Sequence, residues 1–176
     1  MSYKKDYEIS RQVEIEFEQF IKEKYNLTTE NSQEKGEFAD WDISTTASTK
    51  NNNRVTTFEV KYNRNYTTGN AIIELHKGIV ANGCISHTLP SGLSSTKADY
   101  YIFKFQNEEK YYLIQTEKLR ALLTPNNPEI TFIYDSNNYY IAIISKNILQ
   151  ENCKCVLVPN TPTPPITDPN QFNHYN

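Results

Sequence analysis

The sequence predicts an α/β domain with a mixed central β-sheet flanked by helices. Three observations predict it. One amphipathic helical pattern opens the chain, strand-like runs dominate from Phe38 onward, and short helical patterns interrupt those runs later. The 176 residues suffice for one domain with a real core but hardly for two. The expected organisation is a single domain over 1–158 and a tail over 159–176.

The opening stretch, "YEISRQVEIEFEQFIKEKY" at 7–25, places Ile9, Val13, Phe17, Phe20, Ile21 and Tyr25 at helical spacing. The polar "NLTTENSQEKGEF" that follows reads as a loop. "FADWDIST" then reads as a strand and "TASTKNNN" as a turn. "RVTTFEVKY" is β-branched and aromatic, the firmest strand of the set. "GNAIIELH" suits strand or helix. "ADYYIFKFQ" with "KYYLIQT", and "TFIYD" with "YYIAIIS", form two hairpin patterns. "TEKLRALL" predicts a short helix and "SKNILQEN" a helical turn. The final "VPNTPTPPITDPNQFNHYN" offers little to bury and reads as an extended or disordered proline-rich tail.

The net charge of −3 does not mark a nucleic-acid binder by itself. Its distribution is more informative. Residues 43–98 hold six basic and two acidic residues, a net of +4, so a polyanion would approach there. Three cysteines exclude a disulfide framework and suggest a reducing compartment. Cys153 and Cys155 are too few for a structural zinc site. The N-terminus has no apolar signal-like core and no run reaches membrane-spanning length, so a cytoplasmic protein without a membrane partner is expected. No Ser-His-Asp spacing or glycine-rich phosphate loop is present.

Charge inside the firmest strand needs an explanation. Side chains alternate along a strand, so Val55, Thr57, Glu59 and Lys61 share one face, opposite Thr56, Phe58, Val60 and Tyr62. On the preceding strand Asp40, Asp42 and Ser44 share a face, and pairing through the turn would let a carboxylate from each strand converge. Two such carboxylates suit Mg²⁺, a hard cation that keeps waters and phosphate oxygens in its shell, with Mn²⁺ as a substitute. A lysine beside them would orient the attacking water or offset developing charge. The plainer reading is a Glu-Lys pair on a wet sheet face. A second Glu-x-Lys, Glu108 to Lys110, falls in a hairpin connection where charge is expected to be solvated.

Asp42-Ile43 followed by Glu59-Val60-Lys61 on the next strand resembles the PD-(D/E)XK nuclease superfamily, although Trp41 stands where that pattern often has proline. "TTGNAIIELH" and "SGLSSTKADYYIFKF" resemble its phage-type endonuclease branch, and the likeness extends over roughly 7–115. It implies a restriction-endonuclease-like mixed sheet and metal-dependent DNA cleavage. Asp42 and Glu59 would be metal ligands, and Lys61 the base or water-positioning group. The opening helix would donate an acid, Glu14 or Glu18, with Glu8 a further candidate. Asp40 is either a supporting group or the true ligand.

Other residues keep two readings. Glu74 is either a further acid near the metal or a solvated strand-end charge. Asn70, beside Gly69, suits a turn whose backbone amides could meet phosphate. Ser91 lies in a loop rich in small donors, with Lys97 nearby, suited to the DNA backbone. Arg54, Arg64 and Lys77 complete the basic set. No organic cofactor is expected, and a homodimer is compatible with the resemblance. Two rival functions remain: a catalytically inactive binding or structural module on the same fold, and a Holliday-junction resolvase or restriction endonuclease of the same superfamily.

Overall fold

Val13, Phe17, Phe20 and Ile21 are buried along one stripe of α1, Tyr3–Tyr25, as helical spacing requires. Lys22 and Lys24 sit in its last turn, where they complement the partial negative charge of the helix end. Asn26 takes a left-handed φ of 50° and turns the chain back. The computed structural model describes residues 3–32, 40–48, 53–64, 69–106 and 108–159. The tail beyond 159 and residues 49–52 of the expected turn "TASTKNNN" lie outside the described residues, while residues 46–48 and 53 of that stretch are strand rather than turn.

Among the described residues ten strands follow: β1 Thr28–Asn31, β2 Ile43–Ser48, β3 Asn53–Asn63, β4 Asn70–Ala81, β5 Cys84–Pro90, β6 Tyr100–Phe105, β7 Tyr111–Gln115, β8 Ile130–Tyr134, β9 Tyr139–Ser145 and β10 Cys155–Leu157. Two short helices are interspersed, α2 at Thr116–Leu122 and α3 at Lys146–Asn152. The architecture is mixed α/β, as expected, but the strands divide between two sheets. The first has order β1-β2-β3-β6-β7-β10 and is mixed, because β3 pairs with β6 in parallel while its other pairings are antiparallel. The second has order β5-β4-β9-β8 and is antiparallel.

Three layers result. On β6, Tyr100 and Ile102 join Phe58, Val60, Ile43 and the α1 stripe in one core. The alternate residues Tyr101, Phe103 and Phe105 join Ala71, Ile73, Ala142 and Ile144 of the second sheet, with Leu119 of α2 and Leu149 of α3, in the other. The first sheet is therefore covered by α1 on one face and by the second sheet on the other. A strand buried on both faces reads as a continuous apolar run, which is why "YYIFKF" shows no alternation.

Two stretches depart from expectation. Thr28–Asn31 is an edge strand paired with β2, not a loop. Its four polar residues carry no visible alternation, and Glu18 fixes it by accepting hydrogen bonds from Thr29 Oγ1 at 2.7 Å and Asn31 Nδ2 at 3.2 Å. β2 begins at Ile43, so Asp40 and Asp42 precede it and do not share a strand face. The reason is local. The Val60 N–H donates to Asp42 Oδ2 at 2.7 Å, so a carboxylate stands where a further backbone partner would continue the ladder. No described helix is long and apolar enough to cross a membrane.

Candidate functional site

β3 and β6 run in parallel with Glu59 beside Tyr101 and Lys61 beside Phe103. This register puts Glu59 and Lys61 on the face turned away from α1. Glu59 is buried, and both of its oxygens are engaged. Oε1 lies 2.6 Å from Lys61 Nζ, and Oε2 accepts from Thr96 Oγ1 at 3.0 Å. Burying a carboxylate is costly unless it is paired and hydrogen-bonded, and Glu59 is both. The Lys61 side chain keeps 37% of its surface exposed, while its amine is held on Glu59.

Asp42 joins this pair from the end of β2. Burial foremost pushes its carboxyl up to about 7; the neighbouring Glu59 and Glu14 carboxylates add to the rise, while Lys61 and the Val60 N–H oppose it. For Lys61, burial alone would lower the pKa. Glu59, Tyr101 and Asp42 outweigh it and hold the amine well above the usual lysine range. The site thus gathers excess negative charge around one ammonium.

A cleft of about 530 Å³ opens at Lys61; the Asp42 and Glu59 side chains do not line it. Glu14 of α1, Lys61, Asn63, Arg64, Glu74 of β4 and Tyr101 line it. Segment 91–99 packs against β4 beside Glu74, one of the lining residues. Ser91 N–H donates to Leu75 O, and Ser91 Oγ lies 3.4 Å from Glu74 Oε2. Gly92 has φ +49°, and a Cβ there would fall 2.6 Å from Glu74 O, so only glycine lets the segment approach β4 this closely. Farther along, Asp99 Oδ2 accepts from Thr57 N–H and Thr57 Oγ1. Arg120 of α2 donates to Leu93 O and Thr96 O, holding the segment from behind.

The structure brings Asp42, Glu59, Lys61, Glu14, Glu74 and Arg64 to one place. Other expected residues sit elsewhere. Glu18 is committed to β1, so Glu14 is the α1 acid that reaches the cleft. Asp40 pairs with Lys97 at 2.9 Å in an exposed ion pair, which occupies both side chains. Lys77 is exposed on β4 with its amine 5.6 Å from the Tyr139 ring. Asn70 starts β4 opposite Ser145. The Arg54 side chain lies outside the described residues. Glu8 is exposed on α1. The second Glu-x-Lys is not merely solvated, since Glu108 accepts from Lys146 and from Tyr112 Oη.

Three residues went unanticipated. Thr96 is buried and holds Glu59, while Tyr101 Oη and Asn63 Nδ2 are buried without hydrogen-bond partners among the described residues. Tyr101 and Asn63 both line the cleft. For Tyr101 a signal existed: alternation along "YYIFKF" places it on one face with Phe103, but only the register with β3 puts it beside Glu59.

Among the described residues, no three or more histidine, cysteine, aspartate or glutamate side chains are grouped so as to hold a metal ion. The donors present are two hard carboxylates, Asp42 and Glu59, with Glu14 close enough to act on Asp42 electrostatically. Two carboxylates fall short of a full ligand set, so a cation held here would have to keep water in its shell.

No family model and no curated protein matches the chain. Among solved structures, a bacterial homing endonuclease is similar at a TM-score of 0.45 and 15% identity, covering 66% of this chain and 71% of that one. So loose an overlap leaves the functional reading to the site's own geometry.

Proposed function

We propose that this chain is a divalent-metal-dependent DNA endonuclease of the PD-(D/E)XK kind. One observation carries the reading: Asp42, just before β2, and Glu59 and Lys61 of β3 act on one another beside an open cleft. Asp42 and Glu59 would hold Mg²⁺ or Mn²⁺, and Glu14 would strengthen the negative field around it. A bound cation would polarise a phosphoryl oxygen and lower the pKa of a coordinated water. Lys61, fully protonated and facing the cleft, orients the attacking water and offsets charge developing on the phosphate. Arg64 and the donors of segment 91–99 position the DNA backbone, in line with the net positive charge of residues 43–98.

A second reading has an observation in its favour. Both Glu59 oxygens are already taken by Lys61 and Thr96, which suits an inactive binding module whose charges pair internally. A resolvase or restriction enzyme would differ in substrate rather than in chemistry, and a homodimer would follow if two strands are cut.

Plasmid DNA incubated with the chain in Mg²⁺, with and without a chelator, separates these readings. The wild-type chain is expected to nick or linearise DNA only with metal present. Glu59→Gln and Lys61→Ala should each lower the rate roughly 100-fold or more while retaining the wild-type circular dichroism spectrum. Wild-type cleavage that survives chelation, or both variants at full rate, would refute the assignment.

A further inference from the structure

Tyr101 lies beside Glu59 in the β3–β6 pairing, lines the cleft that Lys61 lines, and is 0% exposed. Its ring is explained by packing, since it meets the Phe103 ring at 5.2 Å and belongs to the core between the sheets. Its hydroxyl is not explained, because among the described residues it has no hydrogen-bond partner. Buried hydroxyls are nearly always paired, since nothing else replaces the water they lose. Phenylalanine would fill the same space without that cost.

We infer that Tyr101 is a positioning residue for Lys61, its hydroxyl receiving the Lys61 ammonium when a divalent cation draws Glu59 out of the ion pair. The inference rests on the nuclease reading above. As the chain stands, Lys61 Nζ is held by Glu59 at 2.6 Å. A cation bound by Glu59 would compete for that carboxylate and repel the ammonium. Tyr101 Oη offers unused lone pairs at the edge of the same cleft. Burial, the largest influence on the phenol, raises its pKa far above neutrality, so it keeps its proton and accepts through oxygen. The amine would then be retained over the cleft instead of swinging into solvent.

Tyr101→Phe tests this in three measurements. Without metal the variant should melt at or above the wild-type temperature, because the lost hydroxyl had no partner. The rise in melting temperature that Mn²⁺ produces should shrink by about half, since the displaced ammonium has nowhere to bind. Turnover on DNA should fall about tenfold with KM unchanged. A metal-free melt several degrees below wild type would overturn the inference, because it would reveal a structural bond to the hydroxyl. An unchanged Mn²⁺ response with unchanged turnover would overturn it equally. A wild-type chain that neither cleaves DNA nor responds to Mn²⁺ would remove the nuclease reading itself, and this inference with it.

Discussion

A carboxylic acid withdrawn from water and set beside other carboxylates resists ionisation, and Asp42 is so placed. Its pKa rises from 3.8 to about 7 on folding. Between those values the native chain holds a proton that the unfolded chain has released, so stability falls as pH rises from about 4 to about 7. Asp42→Asn keeps an oxygen for the Val60 N–H and removes the ionisation. In metal-free buffer the variant should outlast the wild type at pH 8 by roughly 2 kcal/mol, or about 5 °C in Tm, and the gap should close by pH 4. Thermal melts across that range check it; a constant gap would show that Asp42 does not titrate in the window. At this scale the Glu59-x-Lys61 pattern was legible because strand alternation assigns faces. The choice between Glu14 and Glu18 was not. Both lie on α1, and the deciding contacts of Glu18 are to Thr29 and Asn31, on a strand that composition conceals.

Elements bring the acids together by ending in particular places. β2 begins only at Ile43 because the Asp42 carboxylate accepts from Val60 N–H, so the start of the strand itself creates the site. An uninterrupted strand from Phe38, the simplest reading of the apolar pattern, would have left Asp40 and Asp42 equivalent. Segment 91–99 is the other decisive element. Its small residues suggested phosphate contacts, yet much of its polarity is spent internally, on Glu59, Asp40, Thr57 and the Arg120 guanidinium. Gly92 is its tightest point. Gly92→Ala would drive a methyl into Glu74 O and Cβ and impose a left-handed φ on alanine. A loss of roughly 2 kcal/mol or more in chemical denaturation is expected, together with reduced cleavage as Glu74 and the segment move apart. A variant as stable as wild type would mean that the segment sits farther from β4.

Across the whole molecule, the cleft exists because a second sheet stands against the first. Both hairpins, β6–β7 and β8–β9, follow from local pattern, since each joins neighbouring strands through a short connection. Their assignment to different sheets does not. It depends on pairings such as β4 with β9, where Glu74 meets Ile141, and β7 with β10, where Tyr112 meets Val156. These long-range choices are settled by how apolar faces fill the space between layers, and a strand buried on both faces carries no periodic trace of them. The charge layout of the chain acquires meaning only in this arrangement: Glu14 of α1, Asp42 just before β2, Glu59 of β3 and Glu74 of β4 gather near Lys61, and a cation with a phosphate is what we propose completes the set. The most direct test is a crystal soaked in Mn²⁺ and measured for anomalous scattering. The account predicts a peak within ligand distance of both the Asp42 and Glu59 carboxylates, with Lys61 Nζ moved off Glu59. No peak at that position, with the Lys61–Glu59 ion pair intact at saturating metal, would contradict it.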